Sequence, residues 1–156
     1  MRKIMILAVC FIFSVATLSL AADLKKVDNP TIEMLQGKWE GKFTRTTSKN
    51  NMSGEFTMNF KGNKAWVVRG ATYTDAATRW VVTIDKIEKG KIYMSNQGSD
   101  FEVELIGNSK GGYLMEGNYT GRKAGHAKSA NSDIKLQKVS ATFDEKEIEA
   151  AGKGSE

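Results

Sequence analysis

A two-residue alternation of apolar and polar side chains constrains this chain more than any other feature. It is first complete in Gly37-Lys38-Trp39-Glu40-Gly41-Lys42-Phe43. On an extended strand Trp39, Gly41 and Phe43 share one face, and Lys38, Glu40 and Lys42 share the other. The first face belongs in a core and the second in water. The pattern returns seven more times downstream.

The first strand is expected over Lys38 to Thr46, with a polar loop over Thr47 to Gly54. Next, Phe56, Met58 and Phe60 face in, while Glu55, Thr57 and Asn59 face out. Lys61-Gly62-Asn63-Lys64 suits a hairpin turn. The strand from Ala65 to Tyr73 is apolar on both faces at Trp66-Val67-Val68, which calls for an exposed aromatic or a bulge. Trp80, Val82 and Ile84 form an inward row, after a connection over Thr74 to Thr78. Glu88-Lys89-Gly90-Lys91 turns the chain into a short strand with Ile92 and Met94 inward. A turn at Gly98-Ser99-Asp100 leads to Phe101, Val103 and Leu105 inward, with Glu102 and Glu104 outward. Tyr113, Met115, Gly117, Tyr119 and Gly121 line one side of the seventh strand. A long polar loop over Lys123 to Asp133 precedes the last, Ile134 to Val139, with Ile134 and Leu136 inward.

Eight short strands with brief connections make an antiparallel meander. A sheet of that size tends to close and so remove its edges. The expected fold is all-β, an eight-stranded antiparallel up-and-down barrel. The same alternation also permits a β-sandwich. A membrane barrel needs an apolar outward band, whereas this outward face carries Lys38, Glu40, Lys42, Glu55, Asp85, Glu102 and Glu104. Outside the barrel, Asn29-Pro30-Thr31 suits a helix start with Asn29 as N-cap, and Gly37 suits its end. The tail from Asp144 to Ala151 suits a short acidic helix with Phe143 and Ile148 on one side.

The N-terminus has the form of a secretory signal peptide. Met1-Arg2-Lys3 is cationic, Ile4 to Leu20 is uncharged and mostly apolar, and Ser19-Leu20-Ala21 supplies small residues for cleavage after Ala21. The chain thus divides into a signal peptide over 1–21, a lead-in and helical turn over 22–36, a barrel over 37–140 and an acidic tail over 141–156. Export places the mature chain in a periplasm or outside the cell, with no membrane span after cleavage. The single cysteine, Cys10, lies in the signal. The mature domain therefore depends on its core alone, without a disulfide. Residues 22–143 carry 19 Lys and Arg against 13 Asp and Glu, while 144–156 carry two against five. The excess cations are spread along the strands and not interleaved with exposed aromatics, so no nucleic-acid partner is expected.

A helical turn before Gly37-Lys38-Trp39, at the head of an exported eight-strand meander, resembles the lipocalin and calycin pattern. In that family Gly-x-Trp opens the first strand, the Trp packs across the closed end of the barrel, and an Arg from after the last strand covers it. The motif covers only Gly37 and Trp39; the architecture covers most of the mature chain. No Arg follows the last strand here, and Arg122 ends the seventh strand instead. The resemblance implies a barrel and a binding role.

Catalytic and metal motifs are hard to find. His126 is the only histidine and has no second His or Cys to share a zinc ion. A hydrolase needs a base beside its nucleophile, and His126 is the sole candidate. Glu116 is outward by the alternation, and a one-residue slip of register would bury it. Asp75 and Asp100 lack the dense oxygen ligands calcium needs. Asn51-Met52-Ser53 and Asn118-Tyr119-Thr120 match the glycosylation acceptor. No enzyme and no cofactor is expected.

The inward list carries the functional inference: Trp39, Phe43, Phe56, Met58, Phe60, Trp80, Met94, Phe101, Met115 and Tyr119. Aromatics with methionines suit an adaptable apolar pocket and equally suit a solid core. Inward Gly41, Gly117 and Gly121 either open space or relieve strain where strands coil. The expected function is an exported, non-enzymatic binding protein that carries a small apolar ligand in the barrel. The alternative is a filled barrel that meets a protein partner, as an inhibitor or interaction module.

Overall fold

The computed structural model describes residues 24–46, 51–72, 76–108, 110–121, 130–143 and 145–152. Residues 1–23, which include the expected signal segment and Cys10, lie outside them, as do Asp75, Arg122 and His126. The elements in order are β1 (Lys25–Lys26), α1 (Ile32–Leu35), β2 (Gly37–Thr46), β3 (Asn51–Lys61) and β4 (Lys64–Arg69). Then come β5 (Thr78–Glu88), β6 (Lys91–Asn96), β7 (Ser99–Gly107), β8 (Tyr113–Gly121), β9 (Ala130–Ser140) and α2 (Glu145–Gly152).

Strands β2 to β9 pair antiparallel in sequence order, and β9 returns to pair with β2. The result is a closed eight-stranded up-and-down barrel, with β1 as an added strand. Closure leaves no free edge in the ring, which removes the hazard of an open sheet. The buried apolar residues of β2 to β9 lie on the inward rows, from Trp39 and Phe43 on β2 to Ile134 and Leu136 on β9.

Closing eight strands requires them to coil tightly, and two inward glycines permit it. A Cβ on Gly41 would sit 2.0 Å from the Lys135 carbonyl oxygen, and one on Gly117 would sit 2.1 Å from that of Glu102. These glycines therefore admit neighbouring backbone and do not open a cavity. The hairpin turns follow local chemistry. Gly62 has φ +61° in the β3–β4 turn, and Lys89 and Gly90 have φ 53° and 77° in the β5–β6 turn. Two-residue turns with positive φ match the twist of the strands they join.

Several expectations on boundaries and faces are corrected. The lead-in is not loose at Lys25 and Lys26, which pair with Gly107 and Ile106 of β7. Val27 extends the contact with an N–H donated to the Leu105 carbonyl at 2.9 Å. Pairing of β6 with β7 ends at Glu104, and β1 takes the edge beyond it. The helix cap is Thr31, not Asn29. The polar stretch 51–54 belongs to β3, and residues 130–133 belong to β9, because partner strands extend them. Ser99 and Asp100 likewise lie within β7, and β4 ends at Arg69, before Tyr73.

Asn59 points outward as expected but is fully buried. It pairs with Lys38 and Trp66 on the outer face of the wall. There Lys61 Nζ stands 5.2 Å from the Phe143 ring centroid, and α2 lies against β4 and β5. Trp66 faces outward, half-buried, and β4 contains no bulge.

Candidate ligand-binding site

The two ends of the barrel are built differently. At one end α1 lies across the opening. Leu35 is fully buried, and its carbonyl accepts the Trp39 indole N–H at 2.7 Å. Gln36 ties α1 to the β3–β4 turn. Its amide donates to the carbonyls of Ile32 and Gly62, and its oxygen accepts the Gly62 N–H at 2.8 Å. The regular register of β2 and β9 sets Lys138 opposite Trp39, and a bulge follows between Trp39 and Lys38. Lys138 Nζ donates to the Met34 carbonyl at 2.8 Å and stands 5.8 Å from the Trp39 ring centroid. Burial lowers the Lys138 pKa. This end is closed, and the side-chain donors of Gln36, Trp39 and Lys138 are engaged there.

The opposite end is where β2, β4 and β8 finish and β3, β5 and β9 begin. Continuing the inward row of β2 beyond Phe43 reaches Arg45, and continuing that of β4 beyond Val67 reaches Arg69. Arg45 Nε donates to Ser132 Oγ at 3.1 Å, and Ser132 is buried on the inward row of β9. Arg69 Nε donates to Thr78 Oγ1 at 3.2 Å, and its guanidinium carbon stands 5.8 Å from the Phe43 ring centroid.

Beneath these cations lies a continuous cluster of rings. Phe56 is its hub, with Phe43 at 6.2 Å, Trp80 at 6.1 Å, Phe101 at 6.1 Å and Tyr119 at 5.9 Å between centroids. Tyr119 stacks on Phe101 at 4.8 Å and on Trp80 at 5.7 Å. Such contacts add about 0.5–1.5 kcal/mol each beyond the apolar burial. Burial raises the Tyr119 pKa, while the charges of Arg69 and Arg45 oppose that rise. Both guanidinium groups therefore act on the phenol. Trp80 is only partly buried as a residue, yet its indole N–H is sealed from solvent and has no acceptor among the described residues.

The ten inward residues thus fall into groups. Trp39 and Phe60 meet edge to face at 6.3 Å near the closed end. Met58, Met94 and Met115 are buried in the core. Phe43, Phe56, Trp80, Phe101 and Tyr119 form the floor beneath the arginines. Glu116 faces outward and pairs with Lys135 at 2.5 Å. A groove of about 650 Å³, lined by residues including Lys42, Glu116 and Lys135, runs along the outer wall, not the interior.

Arg45, Arg69, Ser132 and Lys138 were missed as site residues in the sequence. Their signal was present, because each lies two residues along an inward row from a core residue. Among the described residues no three of His, Cys, Asp and Glu gather as a metal site. No described helix is long and apolar enough to cross a membrane.

Fold and site together define a closed β-barrel with one plugged end and one cationic, aromatic-floored end. Comparison with family models, curated proteins and solved structures finds no match to this chain.

Proposed function

We propose that this chain is an exported, non-enzymatic binding protein that carries a small ligand with an apolar body at the arginine-bearing end of the barrel. The observation that carries this reading is the ring cluster of Phe43, Phe56, Trp80, Phe101 and Tyr119. Aromatic surface beneath a few convergent polar groups is the usual composition of a small-molecule site. Trp80, partly exposed and stacked on Tyr119, is the ring through which a ligand joins the cluster. Export rests on the cationic start, apolar run and small residues of 1–21.

A second reading, a filled barrel that docks a protein, is favoured by the mutual contact of the rings. Phe43 and Phe56 are fully buried by their neighbours. Native mass spectrometry of the mature chain taken from its export compartment separates the two. A stoichiometric adduct lost on denaturation is the expected result and identifies the cargo. A bare chain whose Trp fluorescence is unmoved by apolar probes would turn the search to protein partners.

A further inference from the structure

We infer that the ligand is an amphiphile with an anionic head, held at the arginine-bearing end by Arg45 and the Trp80 indole N–H, with Arg69 and Tyr119 beside them. This inference rests on the carrier reading and adds the chemical class of the cargo. Four observations converge. Arg45 and Arg69 lie on inward rows, where guanidinium groups are rare because desolvating charge is costly. The described hydrogen bonds of Arg45 end on a neutral hydroxyl, Ser132 Oγ at 3.1 Å. The Trp80 indole N–H is a sealed donor with no acceptor among the described residues. The inward rows at this end supply no carboxylate among the described residues; Glu55, Asp100 and Asp133 all fall on outward rows.

An oxygen anion answers these features together. It accepts from the guanidinium fork of Arg45, as carboxylates and phosphates do. It also supplies the acceptor that Trp80 lacks. An apolar tail on the same molecule then lies on the ring cluster. A neutral apolar ligand would leave the indole donor and the arginine charge unanswered. A cationic one would be repelled.

The test is calorimetric titration of the full mature chain with dodecanoate, dodecyl phosphate and dodecanol, all below their micelle concentrations. Either anion is expected to bind at least about tenfold more tightly than dodecanol. Its affinity should weaken with added salt, as a charge contact requires. Whichever of carboxylate and phosphate binds tighter identifies the head group. R45M should remove most of the anions' preference over dodecanol. W80F should weaken the anions several-fold more than the alcohol. Equal affinity for all three in the native chain would overturn the anionic head while leaving the carrier reading intact. Failure of all three to bind would overturn both. The native-chain comparison decides the question even if a variant does not fold.

Discussion

The closed end and the arginine-bearing end use the same kinds of residue to opposite effect. Each has an inward tryptophan and an inward cation. At the closed end the Trp39 N–H reaches the Leu35 carbonyl at 2.7 Å, and Lys138 reaches the Met34 carbonyl at 2.8 Å. Helix α1 supplies both acceptors. No helix is described at the other end, where the Trp80 N–H has no acceptor among the described residues and Arg45 rests on a hydroxyl. Polar groups that the fold itself satisfies stabilise it, and those left over are available to a ligand. The first end is therefore satisfied by the fold itself, and the leftover donors of the second are what the proposed carrier role draws on.

The largest effect that bears on this contrast is expected from truncating the closed-end tryptophan. Trp39 is fully buried, so Trp39→Ala should remove about 3–5 kcal/mol from the unfolding free energy in urea. A loss below about 1 kcal/mol would mean that α1 and Trp39 do not anchor the barrel.

A smaller pair of changes compares the two indoles directly. Trp39→Phe strips a bonded donor and leaves the Leu35 carbonyl behind, which should cost about 1–3 kcal/mol. Trp80→Phe removes a buried donor that has no acceptor among the described residues. The relief offsets lost ring packing, so stability should stay within about 1 kcal/mol of the native chain. Equal losses from both variants would erase the distinction between the ends.

The smallest effect is alkaline, and the ends should respond in opposite senses. Burial lowers the Lys138 pKa in the fold. Between that lowered value and the ordinary lysine value, the unfolded chain holds more protons, so this group's contribution to stability rises with pH. Burial raises the Tyr119 pKa despite the two arginines. Above the ordinary tyrosine value the unfolded chain ionises first, so this contribution falls as pH rises. Urea midpoints followed from neutral to alkaline pH should lose the rising component in Lys138→Met and the falling one in Tyr119→Phe. Differences from the native chain cancel the other lysines. Difference curves of the same sign would refute the contrast.

Much of the barrel was legible because strand geometry is local. Alternation assigned Trp39, Phe43, Phe56, Met58, Phe60, Phe101 and Met115 to the interior, and all are buried. The same rule, carried two residues further, reaches Arg45 and Arg69. An interior read only through apolar residues passes over them. Strand β1 was not legible, because two lysines carry no pattern of their own. It exists because β6 stops pairing at Glu104 and leaves an edge of β7 to be covered. Asn59 shows the converse. Its polarity suits an outward position, but its full burial is not implied by the alternation.

The sequence by itself determined the faces of the strands, the hairpin at Gly62 and the number of strands in the ring. Side-chain direction and turn geometry depend only on neighbours in the chain. Only the tertiary structure decided that β9 returns to β2, that Gly41 and Gly117 admit backbone instead of ligand, and that Trp39 is bonded while Trp80 has no described acceptor. Those outcomes depend on which strands and carbonyls meet in space, and β2 and β9 are separated in sequence by most of the barrel's length.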